Sequence, residues 1–444
     1  ILKYKYMIRR EFIKNSALAG TGLAISSFAG SRLLYGAPSN KINVALAGTN
    51  SRGLHMGKLF AQMPDVEIAY VCDPDQLVTD KTIAEIEKLT GKKPKAEKDI
   101  RKVLADKNLD AIMIATPDHW HAPMAIMAAA AGKNVYVEKP CSHNPNEGEM
   151  LVAAAAKSNK IVQMGNQRRS FPGVNQMVAD AKSGIIGNIY FAKCWYTNNR
   201  KPTVLKNGIV PATLNWDLWQ GPAPRKEFKD GYVHYNWHWF WHWGTGEALN
   251  NGTHELDVAR WAMALDYPTK VVSAGGRYQW KDDWETPDTQ TITFEFGNKA
   301  SIAWEGRSCA PFKYFEAGRG VILFGEKGTI VYPGGDAYKV FDYDEKLIKE
   351  VKEGQALDLT NTISATAGLD AFHVQNFLDA IRGTAKQTSP ISEGHKSTLL
   401  PQLGNMAFRT GQTLYCDPAN GKPKDKEARK LWSREYEKGW EPKY

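Results

Sequence analysis

Short apolar, β-branched runs alternate with helical stretches from Lys41 onward, and the spacing predicts strands over Asn43–Gly48, Val66–Asp73, Ala111–Thr116, Asn134–Lys139 and Lys160–Gly165. Helices fit between them, as over Asn146–Ser158 with its Ala-rich face. Strand and helix alternating at this spacing predict a parallel, doubly wound sheet. Beyond residue 168 the pattern changes to period-two alternation, over Asn188–Thr197, Thr289–Phe296, Ala300–Arg307, Gly320–Gly325 and Thr329–Tyr332. That pattern predicts an α+β domain with a large, mostly antiparallel open sheet whose two faces differ.

Composition places the 444-residue chain, 43% hydrophobic, among globular proteins and excludes disordered, collagen-like and coiled-coil classes. The formal net charge of +9 invites a nucleic-acid or membrane reading until its position is considered. Residues 1 to 36 hold six bases against one acid, and residues 421 to 444 hold eight bases against five acids. The body between them carries only +1, so no basic face and no nucleic-acid partner is expected. The five cysteines are widely spaced without a CxxC pair, which argues against both a disulfide framework and a zinc site.

The basic start reads Arg9-Arg10-Glu11-Phe12-Ile13-Lys14, followed by a mildly apolar, Gly/Ala/Ser-rich stretch from Asn15 to Gly30. It resembles a twin-arginine (Tat) export leader over residues 1 to 36, with Met7 as its start and cleavage between Gly30 and Asn40. The stretch is too short and too polar for a membrane anchor, which needs roughly 20 strongly apolar residues. The implied location is the periplasm or beyond, with the Tat translocase as a transient partner. The expected organisation is leader, 1–36; parallel-sheet domain, 40–168; antiparallel-sheet domain, 169–420; charged tail, 421–444.

Candidate chemistry begins at Gly48-Thr49-Asn50-Ser51-Arg52-Gly53, a G-x-N-x-x-G form of the dinucleotide fingerprint between the first strand and the next helix. Glycines permit the tight turn and the close helix approach, so that the helix N-terminus faces a pyrophosphate. Asp73, 20 residues beyond Gly53, is placed to accept hydrogen bonds from the adenosine ribose hydroxyls and to repel a 2′-phosphate, which favours NAD over NADP. Gly48, Asn50, Arg52, Gly53 and Asp73 are the cofactor residues of this segment.

Further along come Thr116-Pro117-Asp118-His119-Trp120-His121, Glu138-Lys139-Pro140 and Gly165-Asn166-Gln167-Arg168-Arg169. Gly184-Ile185-Ile186-Gly187, Gly252-Thr253-His254-Glu255-Leu256-Asp257 and His373-x-x-Asn376-Phe377 follow in order. This ordered set resembles the Gfo/Idh/MocA oxidoreductases over about residues 41 to 415. The resemblance implies a hydride-transferring Rossmann domain, with Thr116, Pro117, His119, His121, Glu138, Lys139, Asn166 and Gln167 also near the cofactor. It implies a second domain bearing the substrate on one face of its sheet and an oligomer contact, dimer or tetramer, on the other.

In such enzymes the lysine of Glu-Lys-Pro lies near the nicotinamide, which assigns Lys139 a catalytic role; partial desolvation lowers a lysine's pKa enough to help remove a hydroxyl proton. The family's second element, Asp-x-Gly-x-His, reads Asn250-Asn251-Gly252-Thr253-His254 here. His254 matches, whereas Asn250 can hold a hydroxyl but cannot take its proton, so proton transfer falls to Lys139 and His254.

Eight of the fourteen tryptophans lie between Trp195 and Trp261, and the run Tyr235-Asn236-Trp237-His238-Trp239-Phe240-Trp241-His242-Trp243 is unusually aromatic. Flat rings with polar edges suit a carbohydrate or polyol, giving Arg168, Trp237, His238, Trp241, Asn250 and His254 as substrate residues; some rings are expected to pack under the long connection from Thr197 to Tyr235. His234, His238 and His242 at spacings of four raise a metal site, but without a Cys or carboxylate series none is expected. The reading is an NAD-dependent sugar oxidoreductase with tightly held cofactor. Alternatives are a redox-assisted glycosidase of the same superfamily, against which Glu138-Lys139-Pro140 speaks, and a non-catalytic sugar-binding protein.

Overall fold

The computed structural model describes residues 41–354 and 366–444; the expected leader and its cleavage point lie outside the described residues. Six parallel strands, β1 (Ile42–Ala47), β2 (Val66–Cys72), β3 (Lys95–Glu97), β4 (Ala111–Ile114), β5 (Asn134–Val137) and β6 (Val162–Met164), form a sheet in the order β3-β2-β1-β4-β5-β6. Five correspond to the sequence expectation. The sixth, β3, is a three-residue Lys-Ala-Glu edge strand with no apolar run to announce it. The order reverses between β1 and β4, and a doubly wound sheet opens a crevice at the carboxyl ends of its strands at that point.

Local signals bound the helices. Asp75 accepts the Leu77 N–H at 2.9 Å to start the helix Gln76–Thr90, and Gly91 ends it at φ 71°. Asn144 caps Pro145–Ser158 by accepting from Glu147 N at 3.1 Å.

After β6 the chain passes through a short 3₁₀ turn, Gln167–Ser170, and a helix, Pro172–Lys182, into β7 (Ile189–Thr197). A two-stranded ribbon, β8 (Lys206–Asn207) with β9 (Lys229–Asp230), lies in the connection that follows. The second sheet takes in β7 together with β10 (Lys270–Gly276), β11 (Thr289–Phe296), β12 (Ala300–Arg307), β13 (Arg319–Gly325), β14 (Gly328–Tyr332), β15 (Tyr338–Asp342), β16 (Leu347–Val351) and β17 (Leu414–Tyr415). Their order is β16-β15-β14-β13-β7-β12-β11-β10-β17, and only β7 with β12 is a parallel pair. Alternation has the expected consequence: Ile292 and Phe294 of β11 and Ile302 and Trp304 of β12 face a buried core under the helices Gly252–Ala262 and Ile391–Thr410.

The chain then crosses back. The helix Ala367–Ile381 lays Val374, Phe377 and Leu378 on the core of the first sheet, with the Phe377 ring edge-on to Tyr136 at 5.7 Å. The charged stretch 421–444 is likewise packed. Trp432 is buried, and Arg434 pairs at 2.7 Å with Glu147, which is fully buried on the helix Pro145–Ser158. A separate small core in the connection after β7 collects Leu214, Trp219, Tyr232, Trp237, Trp239, Phe240 and Trp243. All five cysteines are buried and unpaired, and among the described residues no helix is long and apolar enough to cross a membrane.

Candidate active site

β1 ends in the Gly48 turn, whose N–H donates to Cys72 O at 3.0 Å, and the helix Arg52–Ala61 starts four residues later. Gly48 has φ +71°, and a Cβ there would stand 2.5 Å from Thr116 N; one at Gly53 would stand 1.8 Å from Gly48 O. Both fingerprint glycines are therefore dictated by backbone approach, not by flexibility. No side chain caps the first turn of that helix, where Gly53 N–H donates to Asn50 O at 2.9 Å, and the positive end of its dipole is left for an anion. Gly48→Ala should cost about 1–3 kcal/mol of strain at the positive φ alone, seen as a lower thermal midpoint and markedly weaker NAD binding by calorimetry.

Asp73 follows β2, buried, accepting Thr49 N at 2.8 Å and Asp75 N at 3.0 Å. Burial pushes its carboxyl up to about 6, and the two backbone N–H groups oppose the rise. These elements wall an open cleft. Gly48, Asn50, Arg52, Asp73, Thr116, Pro117 and Trp237 of the expected residues line it. Ile100, Met124, Trp120, Trp219 and His234, none of them an expected cofactor residue, also line it. The first three belong to helices adjoining β3 and β4 and could have been inferred from their position just after strand ends.

The residues fit a dinucleotide. Besides the helix terminus and Asp73, the hydroxyl of Thr116 and both polar atoms of the Asn166 amide are buried without a protein partner, and such groups are expensive to leave unmade.

Lys139, after β5, is partly buried, and its Nζ donates to Asn250 O at 2.5 Å and Asn250 Oδ1 at 3.2 Å. Burial draws its pKa down to about 8, with Glu138 and Asp118 pulling upward and Arg52 and Arg319 downward. Asn250 ends the short helix Gly246–Asn250, and His254 sits on the first turn of the next, Gly252–Ala262. His254 is held well below the ordinary histidine range by burial, then by Arg168, Lys139, Arg319 and Arg52, so it is neutral at pH 7. Neither of its ring nitrogens has a hydrogen-bond partner among the described residues.

His238 donates from Nδ1 to Tyr235 O at 2.6 Å and stacks on Trp237 with ring centres 3.6 Å apart. Burial takes its pKa to about 3 against the pull of the Tyr235 carbonyl, and Arg200, Lys139 and His121 press it the same way. Its Nε2 therefore carries a lone pair.

Other expected residues act one layer back. Glu138 is buried and receives Arg52 Nε and Gln167 Nε2, each at 3.0 Å. Arg52 also donates to Asp370 at 2.6 Å, a residue 318 positions away. His121 spans two loops, with Nδ1 2.6 Å from Pro140 O and Nε2 2.8 Å from Thr116 O. Arg168 donates to Tyr332 OH at 3.1 Å and Gly334 O at 3.3 Å. His119 is fully buried against Trp219 O at 3.1 Å and does not line the cleft, and Trp241 lies on a different one. His234, His238 and His242 point at three separate partners, Asp75, Tyr235 O and Pro224 O; among the described residues no group of three His, Cys, Asp or Glu side chains is arranged to hold a metal ion.

Comparison with known proteins agrees with this architecture. Residues 42–166 match the Gfo/Idh/MocA model described as "Oxidoreductase family, NAD-binding Rossmann fold", and 205–415 match its "C-terminal alpha/beta domain". A "Glycosyl hydrolase family 109 protein" of Shewanella baltica (strain OS185) is 28% identical over 211 residues, 42% of this chain and 45% of that protein, so the match spans about half of that relative. A protein of the same description from Parabacteroides distasonis is 24% identical over 448 residues, 91% of this chain and 95% of its own. The solved complex of levoglucosan dehydrogenase with NADH and levoglucosan superposes with a TM-score of 0.64 at 19% identity, covering 84% of this chain and 99% of that one, which shows the shared fold. With family models matching residues 42–166 and 205–415, the chain belongs to the Gfo/Idh/MocA family of NAD-binding oxidoreductases.

Proposed function

We propose that this chain oxidises a CH–OH group of a carbohydrate or polyol, with Lys139 accepting the hydroxyl proton. The observation that carries the reading is the Lys139 amine, drawn to about 8 and clasped by Asn250, beside a neutral His254 whose ring nitrogens are unpartnered. NAD, when bound, supplies the acceptor for the hydride leaving the same carbon. The alcohol thus loses two electrons with the hydride and one proton to Lys139. His254 holds the reacting hydroxyl, Asn250 fixes the amine without competing for the proton, and His238 Nε2 accepts from a second hydroxyl over the Trp237 face. Incubating the protein as isolated with a panel of free sugars, glycosides and inositols, while following absorbance near that of reduced nicotinamide, tests this; no response to any of them rejects it.

Asp73 supports NAD over NADP. Replacing it with Ser removes a carboxylate that would repel a 2′-phosphate, so NADP affinity should rise and NAD affinity should fall by tenfold or more, from loss of charge-assisted bonds worth about 1.5–3 kcal/mol. Unchanged selectivity in a titration with both cofactors would remove Asp73 from this role.

Export as a folded protein through Tat would carry NAD inside, and a compartment without a free NAD pool favours a cofactor that stays bound through turnover, reduced in one stage and reoxidised in another. Purified protein should then show nicotinamide absorbance without supplementation; apo protein that turns over only with added NAD contradicts it. Assembly through the nine-stranded sheet belongs to the same reading, supported by the stacked Phe191–Phe324 pair, which lies outside the buried core, and by the exposed Tyr190 near the start of β7.

The relatives described as glycosyl hydrolase family 109 favour one second reading, in which transient oxidation serves aglycone release. Liberation of nitrophenol from nitrophenyl glycosides would reverse the order of the two.

A further inference from the structure

We propose that a second cleft, which shares no lining residue with the cofactor cleft, binds a small hydroxyl-rich anion such as a sugar carboxylate or sugar phosphate. It lies between the start of the helix Pro145–Ser158, the Gly244–Thr245 turn, the helix Ile391–Thr410 and the Leu431–Arg434 stretch. The argument rests on five of its side chains, His143, Trp241, Gln402, Arg409 and Arg434.

Their polar groups are oriented by bonds on one side and left unmade on the other. His143 Nε2 lies 3.1 Å from Trp241 O, which requires that nitrogen to be the donor; Nδ1 then carries a lone pair, and it has no partner. Gln402 donates through Nε2 to Ser142 O at 3.0 Å, which fixes its amide, and Oε1 has no partner. Arg434 spends Nε on Glu147 at 2.7 Å and one terminal nitrogen on His119 O at 2.6 Å, leaving the other, NH1, without one. Arg409, solvent-facing, stacks over the Trp241 ring at 5.0 Å and makes no hydrogen bond or ion pair among the described residues.

Glu147 pairs with Arg434, and Glu285, whose charge acts on Arg409 from a distance, spends an oxygen on the Trp241 N–H at 2.7 Å. Arg409 is the cation with no direct carboxylate partner among the described residues. A guanidinium offers a planar fork matched to carboxylate or phosphate. Two neutral acceptors, His143 Nδ1 and Gln402 Oε1, match hydroxyl donors, and an indole face matches the apolar face of a sugar. A neutral sugar answers the acceptors and the ring but leaves Arg409 unused; an inorganic anion does the reverse. A ligand with both parts answers all of them. Neither Lys139 nor the cofactor takes part, so this site stands or falls apart from the redox proposal.

Calorimetry of the full chain against gluconate, glucose 6-phosphate and glucose, at fixed ionic strength, tests it, with the two anions separating a carboxylate from a phosphate preference. At least one anion should bind saturably at one per chain, tenfold or more tighter than glucose. Arg409→Gln should weaken that binding at least tenfold and leave NAD binding unchanged. Arg434→Gln should weaken it too, with its thermal midpoint recorded because the Glu147 pair is lost. Binding of neither anion, or anion binding unaltered in Arg409→Gln, overturns the proposal.

Discussion

Replacing Lys139 with alanine should lower kcat/KM for the sugar oxidation by about 10²–10⁴-fold, the usual worth of a positioned general base, while NAD affinity stays within a few-fold of wild type. The pH profile separates loss of a base from loss of structure. A base must be unprotonated to act, and Lys139 is drawn to about 8, chiefly by burial. Wild-type kcat/KM should therefore rise as pH climbs through about 8 and level off above it, and the alanine variant should lose that ascending limb. Asn250→Asp places a carboxylate where the amide oxygen now lies 3.2 Å from Nζ. It should stabilise the ammonium and move the limb to higher pH. A Lys139→Ala protein with unchanged turnover would withdraw the catalytic role from Lys139.

What could be read in advance divides along one line: whether the signal is local. All strands of the first sheet but β3, together with β11 and β12, were legible because buried strands must be apolar runs or alternations, and the latter two run over the expected residues. β16 was not, because an edge strand tolerates Lys and Glu; neither was β15, a five-residue strand carrying Lys339 and Asp342, nor β10, which ends in two glycines. The fingerprint glycines were legible because backbone geometry demands them. Side-chain direction was not. Composition marks the aromatic run as unusual, but only packing decides that Trp237 reaches the cofactor cleft, that Trp239 and Trp243 fill a small core, and that Trp241 turns to another cleft. Arg52 finds Asp370 and Arg434 finds Glu147 across about three hundred residues, and nothing in the local sequence announces such pairs. The tail was legible only as a charged stretch because its charges could be counted while their partners could not.

The largest expected effect on stability lies at a pair that joins the two sides of the site. Arg169 follows Gln167 and Arg168 in the 3₁₀ turn after β6, and Asp257 lies three residues beyond His254 on its helix. Arg169 donates to both Asp257 oxygens at 2.8 to 3.0 Å, with side-chain exposures of 4% and 1%. Ser397 adds a bond to Asp257 at 2.5 Å and receives Arg260 at 3.0 Å, so the pair is embedded in a polar network. Breaking a buried pair from one side strands the other charge, at a cost of about 3–5 kcal/mol, whereas replacing both partners with apolar groups of similar volume is often near neutral. Arg169→Met should therefore lower the thermal midpoint sharply, and adding Asp257→Leu should recover much of the loss, a coupling that chemical denaturation can measure as a double-mutant cycle. Activity should not recover in parallel. The double variant keeps the fold but loses the bidentate bond that sets the Gln167–Arg168 turn against the His254 helix, so stability and kcat should separate. If they return together, the pair serves the fold alone and the site's alignment comes from elsewhere.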